Sequence, residues 1–89
     1  MIIPFLSLSL QVSLNLMCNK LETLSDEISL LKNLKELKIE GNRLRSLPAV
    51  LNEMPELKLL LCEDALLEKL DPEKTIWEKE YGIFRRKEE

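Results

Sequence analysis

The sequence predicts an α/β fold of the repeat class, a short solenoid of about three stacked repeats followed by a C-terminal helix. Three observations point there. Apolar positions recur at a spacing of 23 residues, they alternate at period two within each recurrence as a strand requires, and the composition changes at Leu70-Asp71-Pro72-Glu73 in a way that opens a helix. A unit of that length buries its apolar face only by stacking on a copy of itself.

The recurrence is explicit when the chain is slid along itself. Leu37, Ile39, Asn42, Leu44, Leu47 and Leu51 fall on Leu14, Leu16, Asn19, Leu21, Leu24 and Ile28, and in the other direction on Leu60, Cys62, Ala65, Leu67, Leu70 and Lys74. In a chain that is 45% hydrophobic single apolar coincidences are common, so the weight lies on the coincident asparagine and the unbroken apolar columns. Two good repeats, 11–33 and 34–56, and one degenerate repeat, 57–70, result. The local rival is a helix through Leu30, Leu31, Leu34 and Leu37, whose spacings suit it. Gly41-Asn42 and Pro48 cut that helix off.

The pattern Leu34-x-x-Leu37-x-Ile39-x-x-Asn42-x-Leu44-x-x-Leu47-Pro48-x-x-Leu51 resembles the leucine-rich repeat family, and its Leu-Pro-x-x-Leu half resembles the intracellular, Ras-group branch. The resemblance covers residues 11 to about 70. It implies a short parallel strand per repeat on a concave face, near Leu14 to Leu16, Leu37 to Ile39 and Leu60 to Cys62. It further implies that Asn19 and Asn42 are rungs of an asparagine ladder bonding neighbouring backbone groups. Ala65 breaks that ladder, because a methyl group neither donates nor accepts.

Residues 1–10 suit a partial repeat or N-terminal edge. Met1 to Asn19 carries no charge, which invites a signal peptide over residues 1–17, but no basic residue lies near the start, Pro4 is early and Leu6-Ser7-Leu8-Ser9-Leu10 alternates. Residues 71–89 suit a capping helix and charged tail, with Asp71 as N-cap, Pro72 at the first helical position, and Trp77, Tyr81 and Phe84 at i, i+4 and i+7 on one stripe. The bland assignment of that stripe is a cap over the edge left by Cys62, Leu67 and Leu70. The sharper one is a docking surface. Arg85-Arg86-Lys87 then reads as a solvated terminus.

Composition narrows function. A net charge of −3 argues against nucleic-acid binding, and the broken apolar start argues against a membrane span. The chain has no His and two Gly, which removes His-based nucleophile activation and a glycine-rich phosphate loop, so no enzyme and no cofactor or metal are expected. Cys18 and Cys62 sit in different columns, and with no cysteine-rich cap they point to a cytoplasmic setting.

What remains is a non-catalytic protein-interaction module. The outward strand positions should be Ser13, Asn15 and Met17; Glu36, Lys38 and Glu40; and Leu59, Leu61 and Glu63. Glu40, Glu63 and Asp64 form an acidic strip and Leu59 and Leu61 an apolar patch, suited to a protein or peptide presenting a basic residue beside an apolar anchor. The bland alternative keeps the acids as solubilising groups and covers both leucines with the C-terminal helix. A second functional class is a structural C-terminal segment of a larger solenoid with no partner of its own, self-associating through an uncapped N-terminal edge.

Overall fold

The computed structural model describes residues 12–87. Strand β1 (Ser13–Asn15) is followed by a 3-10 turn at Asp26–Leu30, strand β2 (Glu36–Lys38), the single-turn helix α1 (Val50–Glu53), strand β3 (Leu59–Leu61), helix α2 (Asp64–Leu70) and the strands β4 (Trp77–Glu80) and β5 (Ile83–Arg86). The sheet order is β1-β2-β3-β5-β4. β1, β2 and β3 are parallel, with Ser13, Glu36 and Leu59 in register at steps of 23 residues, whereas β5 runs antiparallel to both β3 and β4.

The expected solenoid with a C-terminal helix is therefore corrected to a small α/β domain with one five-stranded mixed, open sheet. A solenoid grows by adding like units, each contacting the next through parallel strands. Here the strand beside β3 comes from the end of the chain and is antiparallel, and the three connecting elements differ in length and type. The Cα extents of 35 × 30 × 22 Å show no long axis of stacking. The readings of residues 1–10 as a repeat edge and of 1–17 as a signal peptide fall largely outside the described residues. Among those residues no helix is long and apolar enough to cross a membrane.

Why a hairpin forms where a helix was expected is a matter of local geometry. Tyr81 and Gly82 both have positive φ, 52° and 81°, the conformation of a two-residue hairpin turn. Around that turn Trp77 pairs with Arg86 and Lys79 with Phe84. Residues 77 and 84 thus lie on one face of the hairpin at a separation of seven, the same separation that marks a helical stripe. Both are buried, and Tyr81 is 95% exposed.

The inner row across the sheet is Leu14, Leu37, Leu60 and Phe84, with Ile39 and Cys62 one step further along. It packs on Leu24, Ile28, Leu31, Leu34, Leu51, Leu57, Leu66 and Leu67 from the connecting segments. Asn42 ties the first connection to the second. Its Oδ1 accepts from the N–H of Asn19 and Leu21 at 2.9 and 3.0 Å, and its Nδ2 donates to the carbonyls of Leu16 and Ile39 at 2.8 Å each. Asn19 instead donates from Nδ2 to its neighbour Met17 at 3.2 Å.

Polar side chains hold the hairpin to the rest. Asp71, 4% exposed, lies at the C-terminal end of α2 rather than at the start of a helix. Its carboxylate accepts from the backbone N–H groups of Thr75, Ile76 and Trp77 at 2.9 to 3.0 Å, closing the Pro72-to-Thr75 loop. Burial alone raises the Asp71 pKa, and the bonds from Trp77, Ile76 and Thr75 outweigh it, holding the carboxyl below its ordinary value. Arg86 is no solvated terminus. It donates to the carbonyls of Leu51, Asn52, Met54 and Leu57 at 2.7 to 3.1 Å, so it caps α1, and it stacks 4.6 Å from the Trp77 ring. Burial lowers its pKa. Asn52 completes the link, accepting from Trp77 Nε1 and donating to the Leu70 carbonyl, both at 2.9 Å.

Candidate functional site

The hairpin decides what the outer face of the sheet looks like. Because strand side chains alternate between faces, the residues flanking the buried row all point away from the core. One outer row runs Ser13, Glu36, Leu59, Arg85 and Glu78, read directly from the pairing. The next runs Asn15, Lys38 and Leu61, and the same register carries it on to Ile83 and Glu80.

At the centre of this face Leu59, Leu61 and Ile83 line a shallow hollow of about 140 Å³, flanked by Glu36 and Lys38 of β2. No described helix covers it. The alternative in which a C-terminal helix covers Leu59 and Leu61 gives way to a different arrangement, in which both are half-buried and Ile83, 37% exposed, joins them. On the far side Arg85 Nε lies 3.5 Å from Glu80, both side chains well exposed, so this pair is a weak surface contact. Glu36 accepts from Ser13 Oγ at 3.3 Å.

The expected acidic strip is distributed differently. Glu40 is exposed, but the Glu63 carboxylate accepts from the Gly41 N–H at 2.9 Å and so fixes the turn after β2. Asp64 opens α2 and pairs with Lys79 at 2.9 Å. Lys79 shares its face with Phe84, 5.7 Å from the ring, so that pair lies on the side of the hairpin opposite the hollow. The structure thus brings Glu36, Lys38, Leu59 and Leu61 together, leaves Glu40 beside them, and gives Glu63 and Asp64 intramolecular partners. Sequence reasoning missed Ile83, Arg85 and Glu80. The signal that locates them is Tyr81-Gly82, a two-residue turn between Ile76-Trp77 and Ile83-Phe84.

Cys62 and Asp71 are committed to structure. Cys62 is buried, and burial first, then the charges of Glu63, Asp64 and Glu40, pushes its thiol up to about 12, which keeps it protonated and unreactive. Asp71 has its oxygens filled by the loop N–H groups. A second depression of about 340 Å³ between α2 and the hairpin is lined by Leu67, Trp77 and Phe84, with the Asp64–Lys79 pair among its polar residues. Among the described residues no three His, Cys, Asp or Glu side chains converge in a metal-ligating arrangement. Compared with known protein families, curated proteins and solved structures, the chain matches none.

Proposed function

We propose that the protein is a non-catalytic interaction module that binds a protein or peptide on the outer face of its sheet. The observation that carries this reading is the trio Leu59, Leu61 and Ile83, half-buried to exposed and covered by no described helix, inside a frame of both charge signs, Glu36 and Lys38 on one side and Arg85 and Glu80 on the other. An apolar centre with a polar rim is the usual anatomy of a contact surface. The sequence supports the non-catalytic part to the extent that, without His, the Ser-His and Cys-His pairings lack their base.

The mixed charge changes the partner that fits best. With Glu63 and Asp64 engaged, the face favours an apolar anchor flanked by one acidic and one basic group over a wholly basic ligand. Nucleic acid and membrane are not part of the proposal, and neither is a cofactor. The cytoplasmic setting belongs to it, supported by two unpaired cysteines, one of them exposed.

A displayed random-peptide library selected against the immobilised chain tests this reading. The expected outcome is a family of binders whose resonance shifts map to Leu59, Leu61 and Ile83 and whose affinity falls at least about tenfold in Leu59→Lys/Leu61→Lys, with an unchanged circular dichroism spectrum. Binders that ignore the double substitution would overturn it.

A further inference from the structure

We infer that the outer face is self-complementary and that a second copy of this chain packs against it, face to face, about a two-fold axis running along β3. The inference rests on the reading of this face as an interaction surface and names its partner. The register supplies the argument. Glu36, Leu59 and Arg85 share one row, with β2 and β5 as the columns on either side of β3. A two-fold along β3 keeps each row in place and exchanges those columns. β2 of one copy then lies over β5 of the other, so Glu36 meets the other copy's Arg85, and by symmetry this happens twice. Leu59 and Leu61 meet their own counterparts on the axis. β1 lies over β4, which brings Lys38 diagonally to the other copy's Glu80 and lays Ser13 and Asn15 over acids rather than over like charges.

The charges choose between the possible axes. A two-fold across the strands keeps the columns and exchanges the rows: it pairs Glu36 with the other copy's Lys38 twice but also sets Glu78 on the other copy's Glu80 twice, so its opposite-charge and like-charge contacts offset one another. The axis along β3 makes no such pair on β4. Existing contacts leave the needed capacity: Arg85 meets Glu80 through Nε at 3.5 Å and a guanidinium carries further N–H donors, while Glu36 accepts from Ser13 at one oxygen. Five strands about 4.8 Å apart and three to four residues long make a face well below the roughly 800 Å² per partner of a standard interface, so the contact is a weak one.

Sedimentation velocity on the full chain, at concentrations up to about 1 mM, reads this directly. The wild type is expected to associate reversibly. Glu36→Lys and Arg85→Glu, each placing like charges at both contacts, are each expected to weaken association at least about tenfold. An equimolar mixture of the two variants restores opposite charges at both contacts and is expected to recover the wild-type association within about threefold. Circular dichroism of each variant shows that it is folded. A wild type that stays monomeric at the highest concentration, a mixture no tighter than its components, or an Arg85→Glu variant that associates like the wild type would each overturn the inference. Peptide binders mapping to Leu59 and Leu61 on a monomeric wild type would overturn self-association alone, and the absence of both would overturn the interaction reading as well.

Discussion

The three parallel strands and the C-terminal hairpin belong to one sheet, yet they are held by different physics. Residues 12–62 are stabilised by repetition: Leu14, Leu37 and Leu60 stack in one column and Leu16, Ile39 and Cys62 in the next, so the same contact is made several times over. Residues 63–87 are held by groups used once. Asp71 closes one loop, Arg86 caps one helix, and Asn52 joins Trp77 to the end of α2 at Leu70. The difference teaches that a repetitive core does not specify its own end. The end is specified by directional polar contacts, and these decide which residues complete the outer face.

Substitutions distinguish the two regions by what each loses. The largest effect is expected at Trp77, which is buried, stacked under Arg86 and bonded to Asn52. Trp77→Ala should cost about 3–5 kcal/mol in denaturant unfolding, at the upper end of the roughly 2–5 kcal/mol of a repetitive-core change such as Leu37→Ala. Arg86→Met comes next. It leaves the carbonyls of Leu51, Asn52, Met54 and Leu57 without their donor, and a loss of about 2–3 kcal/mol is expected. If the hairpin docks as one unit, amide exchange in β4 and β5 should rise further than in β1 and β2.

A smaller effect sharpens the electrostatic side. Because the folded-state pKa of Asp71 is depressed, its contribution is fully present above the unfolded value of about 3.9 and is lost as pH falls through the folded value. Stability measured from pH 6 downward should therefore fall less steeply in Asp71→Asn, which itself should be about 1–3 kcal/mol less stable at pH 6.

The smallest effect probes the turn after β2. Gly41 has φ +84°, and a Cβ there would stand 2.8 Å from Cys18 Sγ. Gly41→Ala is expected to cost about 1–2 kcal/mol. In the double variant with Cys18→Ala only part of that cost should return, because the steric contact is relieved and the backbone conformation is not. A complete return would show that φ contributes nothing.

How much of this was legible in the chain follows from the same division. Columns repeated at 23 residues are visible because each copy confirms the others, and they locate β1, β2 and β3 at Ser13, Glu36 and Leu59, within a residue of where the apolar columns start. The hairpin was not legible, because Trp77, Tyr81 and Phe84 satisfy a helical stripe and Trp77 and Phe84 equally satisfy a diagonal across a two-residue turn. Asp71 has the character of a capping residue, and nothing local says whether it serves the helix before it or one after it. The outer face inherits that ambiguity: Glu36, Lys38, Leu59 and Leu61 were readable from the repeat, whereas Ile83, Arg85 and Glu80 depend on the hairpin.

Residues 77–86 form a hairpin that completes the sheet beside β3, and Ile83, Arg85 and Glu80 belong to the outer face only because they do. Nuclear Overhauser contacts across that boundary test it most directly. The expected result is cross-strand contacts of Leu60 with Phe84 and of Leu59 with Arg85, together with Trp77 to Arg86 across the hairpin. Sequential amide contacts and i to i+3 contacts running from Trp77 through Phe84, with none to β3, would show a helix and contradict the account.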